Sequence, residues 1–368
     1  MIGIRLRKMK YKTQDFLKNE RFRFVIDSVS MILFVFVIAG LFLLYKSNSF
    51  KKEVENNNVE KVTESGFKIS LNDREAFLAK YQNSQVNFLP KTSTFGSSLV
   101  DIVDADSLGA FLPVRNWQVQ FKDINATSAL GIYMPEKRIL YGKNVFEQRP
   151  IASLTKLMTA LVILDTYNPE EIITISQEAI KEEGDSAGFV AGEQFTVNQL
   201  LYALLLESSN DAAWAFLERY NSDNPQKTFI DAMNQKAQNM GLANTIFVDP
   251  SGLSDANMST AYEISQILHT AFQNDIIKQV MQEASYTVKS INKMLSHFWV
   301  NLNSLLGAQE DVLAGKTGFT NEAGPSIAII AKSPIENNFI LTVILDAQDR
   351  IETTRELLNW IKEAYIWK

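Results

Sequence analysis

The chain has 368 residues, 46% hydrophobic and 21% charged, a globular composition with room for one large domain or two ordinary ones. A net charge of −6 gives no nucleic-acid surface, so no nucleic-acid partner is expected. The absence of cysteine excludes disulfides, thiol nucleophiles and thiolate metal sites; with only His269 and His297 as imidazoles, neither a metal nor a cofactor is expected.

Residues 1–23 hold eight Lys and Arg against Asp15 and Glu20, a net of +6. Phe24–Tyr45 follows, uncharged from Ser28 onward. As a helix these residues would span roughly 33 Å, enough for a bilayer core of about 30 Å. The basic flank predicts a cytoplasmic N-terminus, a membrane span at 24–45 and a body outside the cytoplasmic membrane. No small-x-small site follows in Lys46–Phe50, so an uncleaved signal-anchor is expected. A cleaved signal peptide is the alternative and would deliver the body to the same side. Residues 46–75 are polar, with an Asn56-Asn57-Asn58 run, and read as a solvated tether. Within 76–123, Glu75–Tyr81 suggests a short helix, and Leu99–Val103 and Trp117–Phe121 suggest strands. Part of this stretch is expected to pack on the main domain as a strap, so 46–123 reads as tether and strap.

From residue 124 to 368 the pattern predicts one α+β domain. Ser128–Met134 and Arg138–Tyr141 read as a strand hairpin around Pro135-Glu136-Lys137. Helices are predicted over Ser153–Tyr167, Val197–Leu206, Asp211–Tyr220, Pro225–Met240 and Ala261–Gln273. Ile327–Ala331 and Phe339–Leu345 are apolar runs that read as buried strands, and Arg350–Tyr365 as a closing helix. Strands at both ends predict a sheet that joins N- and C-terminal segments around a helical insert.

Three short motifs lie in order on this frame: Ser153-Leu154-Thr155-Lys156, Ser208-Ser209-Asn210 and Lys316-Thr317-Gly318. Residues three apart on a helix share a face, so Lys156 Nζ can reach Ser153 Oγ. Pro150 suits a helix start and puts Ser153 in the first turn, where its N–H can polarise a carbonyl. A serine hydroxyl needs a neighbour to take its proton. With histidine scarce, a neutral Lys156 is the candidate base, kept neutral by partial burial and by Lys316 as a second cation. Ser208 could relay a proton between Lys156 and a leaving amine, and Asn210 could hold Lys156 and a substrate amide together. Helix capping is the competing explanation for this tripeptide, with Asp211 a first-turn acid. Lys316 and Thr317 on an edge strand would bind a terminal carboxylate, with Thr320 assisting. Gly318 leaves room for substrate backbone, and the Phe319 N–H completes an oxyanion hole with that of Ser153. Each motif alone is weak; order, spacing and placement together favour acyl transfer at a serine. His297, just ahead of Asn301-Leu302-Asn303-Ser304, reads as structural.

Ile151–Ala160, Ser208–Ala213, Phe247–Leu253 and Gly315–Thr320 with Ala323-Gly324 resemble the motifs of D-alanyl-D-alanine carboxypeptidases, the low-molecular-mass penicillin-binding proteins. The resemblance covers roughly residues 124–368. It implies a β-lactamase/transpeptidase-like fold, an antiparallel sheet flanked by helices. It also implies a serine peptidase that trims the D-Ala-D-Ala end of peptidoglycan stem peptides through a Ser153 acyl-enzyme and is inhibited by beta-lactams. The expected partners are therefore peptidoglycan stem peptide, beta-lactam inhibitors, and the lipid bilayer through residues 24–45. Three features depart from the family. Ser209 stands where glycine is usual, only 50 residues follow Gly318, and the anchor lies at the N-terminus. A class A β-lactamase would need an E-x-x-L-N element after the second motif, and none occurs there. The remaining alternatives are a peptidoglycan DD-endopeptidase and a non-catalytic beta-lactam sensor or wall scaffold.

Overall fold

The computed structural model describes residues 113–367. The predicted membrane segment 24–45, the tether, and the elements expected at Glu75–Tyr81 and Leu99–Val103 lie outside the described residues. No helix among those described is long and apolar enough to cross a membrane.

A short strand β1 (Val114–Arg115) opens the body and pairs with the last strand, Tyr365–Ile366. Strand β2 (Ser128–Tyr133) and β3 (Arg138–Lys143) form the predicted hairpin. At the other end of the chain lie Val312–Gly318, Ser326–Lys332 and Phe339–Leu345. Phe339–Leu345 pairs antiparallel with β2 and closes a five-stranded antiparallel sheet in which Val312–Gly318 is an edge. N- and C-terminal segments therefore share one sheet, as the two apolar ends predicted.

Apolar residues alternate between two cores. Ile327, Ile329, Ile340 and Ile344 pack with Leu357, Leu358 and Ile361 of the closing helix Arg350–Ala364. Leu130, Ile132, Ala328, Ile330, Leu341 and Val343 face the helical insert. Burial on both faces explains why these strands read as continuous apolar runs rather than as an alternation.

The insert begins with strand β4 (Arg149–Pro150), a 3-10 turn Ala152–Thr155 and helix α1 (Lys156–Thr166). Pro150 is thus a strand residue paired with Met258, not the first residue of a helix. Ser153 still occupies the opening turn. Strands β5 (Ile172–Thr174) and β6 (Gln194–Thr196) pair antiparallel. Helices α2 (Val197–Leu205), α3 (Asn210–Asp223) and α4 (Phe229–Asn239) follow. Helix α4 starts four residues after Pro225 because Thr228 and Asp231 form a reciprocal cap there. Next come β7 (Met258–Ser259), α5 (Ala261–Gln273), α6 (Asp275–Gln282) and the hairpin β8 (Ser285–Lys289) and β9 (Ser296–Val300). The last elements are β10 (Val312–Gly318), β11 (Ser326–Lys332), β12 (Phe339–Leu345), α7 (Arg350–Ala364) and β13 (Tyr365–Ile366).

Trp117–Phe121 is not a strand, because β13 offers only two residues and these pair with Val114–Arg115. The segment packs as a strap without sheet bonds. Phe121 stacks on Tyr141 at 5.4 Å, and Trp360 Nε1 donates to Gln120 O.

Candidate active site

Lys156 begins α1 and is fully buried. Its Nζ donates to Ser153 Oγ at 2.9 Å, to Asn210 Oδ1 at 2.7 Å and to Ser251 O at 2.6 Å. The S-x-x-K spacing and the S-x-N turn therefore meet at one nitrogen. Burial lowers the Lys156 pKa to about 7, against the opposing charges of Asp185, Asp249 and Asp211. The expected role of Lys316 in this shift is corrected: desolvation of Lys156 is the cause, and the repulsion is felt on the other partner. Lys316 is pushed well below the ordinary lysine range by burial and then by the Lys156 charge.

The S-x-N tripeptide serves both readings, divided between its residues. Ser209 caps α3, accepting from Ala212 N, so the serine in place of glycine has a structural task. Ser208 adopts a left-handed backbone, φ +61°, and its Oγ accepts from Lys316 Nζ at 2.9 Å. The expected Ser208–Lys156 link is thus replaced by one to Lys316, since all three Nζ bonds of Lys156 go elsewhere. Asn210 holds Lys156 with Oδ1 and donates through Nδ2 to Glu183 O at 2.5 Å. Asp211 sits in the first turn of α3 and also accepts from Ser186 Oγ and Ala187 N, tying the 183–187 loop to the turn.

Lys316, Thr317 and Gly318 end the edge strand β10, as predicted. An ideal Cβ on Gly318 would fall 3.1 Å from Ser153 N, so only a bare backbone passes the nucleophile this closely. Lys316 Nζ also donates to Thr317 O at 2.9 Å. Phe319 and Thr320 line a cleft of about 720 Å³ with Ser153 and Asn210. The Thr320 hydroxyl donates to Asp255 Oδ1 and accepts from Ala323 N, so it braces the cleft wall instead of standing free for a carboxylate.

Two contributors were missed from the sequence. The first is the Asp249–Asn257 loop, quoted as a motif but given no task. Asp249 accepts from Ser251 N, Gly252 N and Ser254 N, which curls the loop under the nucleophile. Ser251 O then meets Lys156, and Pro250 O accepts from Thr159 Oγ1 at 2.6 Å. Gly252, at φ +85°, abuts Ala152, where an added Cβ would lie 1.9 Å from Ala152 O. The glycine within an Asp-x-Ser-Gly turn was the available signal. The second is Arg350, which lines the cleft and donates from Nη1 to Gly318 O at 2.8 Å. A cation in the first turn of a helix opposes the helix dipole, and that misfit was its signal.

His297 lies away from the cleft lining. It bonds Glu193 Oε1 at 3.0 Å within a cluster of Phe189, Phe195 and Trp299, a structural place.

Residues 115–349 match the D-alanyl-D-alanine carboxypeptidase family. A D-alanyl-D-alanine endopeptidase of Pseudomonas aeruginosa is 32% identical over 255 residues, covering 67% of this chain and 80% of that protein. A D-alanyl-D-alanine carboxypeptidase of Streptomyces sp. strain K15 is 35% identical over 199 residues, covering 50% and 68%. The crystal structure of the Streptomyces K15 DD-transpeptidase superposes with a TM-score of 0.62 at 28% identity, over 66% of this chain and 99% of that one.

Proposed function

This chain belongs to the D-alanyl-D-alanine carboxypeptidase family, and from that premise we propose the residue roles by which it trims D-Ala-D-Ala-terminated stem peptides. The observation that carries the reading is the Lys156 Nζ contact to Ser153 Oγ, made by a buried amine whose pKa lies near 7.

Ser153 Oγ attacks the carbonyl carbon of the penultimate D-alanine, and its proton passes to neutral Lys156. The backbone N–H groups of Ser153 and Phe319 hold the resulting oxyanion. The C–N bond breaks, and the proton taken up by Lys156 passes to the departing amine, relayed by the Ser208 hydroxyl that Lys316 seats, which leaves Lys156 neutral again. Water then attacks the Ser153 ester, giving its proton to Lys156; the C–Oγ bond breaks, and Lys156 returns the proton to Ser153 Oγ. Lys316, Thr317 and Arg350 form the carboxylate clamp, with Thr320 supporting its wall. Arg350 matters most for charge, because burial disfavours the protonated form of Lys316 while a guanidinium stays charged. Beta-lactams acylate the same serine.

The endopeptidase reading is second, favoured by the name of the Pseudomonas relative. A non-catalytic sensor or scaffold is disfavoured, because nucleophile, base, relay and clamp are all present. We further propose that residues 24–45 anchor the chain in the cytoplasmic membrane, with 1–23 inside, 46–123 as tether and strap, and the peptidase body of 124–368 outside. The basic flank and the 22-residue segment, uncharged from Ser28 onward, support this.

The test incubates the full chain with a labelled penicillin and with a D-Ala-D-Ala-terminated pentapeptide. Covalent label and D-alanine release are expected, both lost in Ser153→Ala. Label persisting in Ser153→Ala would overturn the nucleophile; label without D-alanine release would favour the endopeptidase or the scaffold.

A further inference from the structure

We propose that Asp185 is a specificity-determining residue whose carboxylate receives a free ammonium on the acyl-donor part of the peptide substrate. The inference rests on the peptidase reading of the cleft and deepens it by naming a substrate class: stem peptides with an unmodified side-chain amine.

Asp185 lines the cleft together with Ser153, Asn210 and Arg350, and it is exposed. Among the described residues, no hydrogen bond or ion pair within 4.0 Å engages its carboxylate. The loop that carries it, by contrast, is tied down at several points. Asp185 O accepts from Asn210 N at 2.7 Å, and Glu183 O accepts from Asn210 Nδ2 at 2.5 Å. Ser186 Oγ donates to Asp211 Oδ2 at 2.7 Å, and Ala187 O accepts from Trp299 Nε1 at 3.1 Å. The loop thus fixes the Asp185 backbone on the S-x-N turn and leaves the acid unused. Pre-positioned groups on pinned backbone are what a recognition subsite needs.

The electrostatics point the same way. Asp185 acts on the three basic groups of the site, opposing the lowering of the pKa of Lys156, Lys316 and Arg350 that burial causes. That works against a neutral base at Lys156, so the carboxylate is a cost to catalysis unless it binds something. The cleft thus carries both signs of charge: the Arg350 guanidinium for the terminal carboxylate, and the Asp185 carboxylate for a cation. A substrate with a carboxylate on the leaving group and an ammonium on the acyl side is complementary to it.

The amine belongs to the donor, not to an acyl acceptor. An acceptor amine must be neutral to attack the Ser153 ester, and a carboxylate would hold it protonated. A donor side chain takes no part in bond making and keeps its charge throughout.

The experiment uses the full chain and two D-Ala-D-Ala-terminated peptides that differ only in a free or acetylated lysine side chain before the D-alanines. For each, D-alanine release and the slowing of labelled-penicillin acylation are measured. The wild-type chain should prefer the free amine by about tenfold in kcat/KM, mainly through KM. Asp185→Asn should bring the ratio close to one, and Asp185→Glu should restore part of it. Because the readout is a ratio, a changed Lys156 pKa cancels; stoichiometric penicillin labelling checks folding. Equal handling of the peptides by the wild type, or a ratio unmoved by Asp185→Asn, would overturn the proposal. So would an Asp185→Asn effect confined to an added amine acceptor. A chain that discriminates the peptides in competition but releases no D-alanine would sink the carboxypeptidase reading and leave Asp185 standing.

Discussion

Lys156 Nζ has three oxygen neighbours and, when charged, three protons to give them. Asn210 Oδ1 and Ser251 O can only accept. When the amine loses a proton, the lost bond must therefore be the one to Ser153, whose hydroxyl can turn and donate. The site directs the lone pair at the nucleophile by leaving it no other place. Acylation should accordingly rise with pH through about 7, as the amine is deprotonated, and level off above; stopped-flow penicillin acylation across pH 5.5–9 would read this. Lys156→Arg keeps a cation but no base, and acylation should fall by ~10²–10⁴-fold with the profile flattened. A residual profile still centred near 7 would point to another base. Arg350→Ala should raise KM for peptides about tenfold or more and leave kcat less affected, since it removes charge from the clamp but not from the base. The nucleophile, the base and the clamp lysine were legible because the chemistry fixes their types and their spacing on a helix or strand. Arg350 was not, since 32 residues separate it from the Gly318 carbonyl it meets and no local pattern links them.

Elements with strong periodicity were readable to within a residue or two: Ala261–Gln273 and Phe339–Leu345 match their predicted limits. Helix α6 and the β8–β9 hairpin were missed. Helix α6 has only eight residues, and β8 and β9 have five each with mixed polarity on their outer face. What the periodicity could not reveal is that a loop does as much for the nucleophile as its own helix. Gly252 is the tightest of its contacts. Gly252→Ala combines a disfavoured φ with a collision against Ala152 O. It should cost ~2–4 kcal/mol in denaturant unfolding and depress penicillin acylation. Gly241, also at positive φ (+75°) but with nothing within 4 Å, separates the two causes. Gly241→Ala should cost only ~1 kcal/mol and leave acylation intact. Equal losses at both positions would assign the effect to backbone strain alone.

On the scale of the whole molecule, the N-terminal segment carries its own prediction. If residues 24–45 anchor the chain, the full-length protein should sediment with membranes and resist alkaline carbonate extraction. Externally added protease should digest its body in spheroplasts, while a tag at residue 1 survives; release by carbonate would refute the span. The order of the parts along the chain has a different consequence. Strand β2 pairs with β12, whose first residue lies about 200 positions later. At ribosomal speeds of roughly 5–20 residues per second, the β2–β3 hairpin exists for ~10–40 s before its sheet neighbour is made. During that interval Leu130 and Ile132 on one face and Ala129 and Tyr133 on the other lack the strand that joins both cores. The nucleophile is likewise synthesised well before Lys316. A nascent chain therefore carries its serine without a clamp or a finished wall. Competence arrives only at the end, when the last strands enter the sheet, so an unfinished polypeptide carries no working scissors.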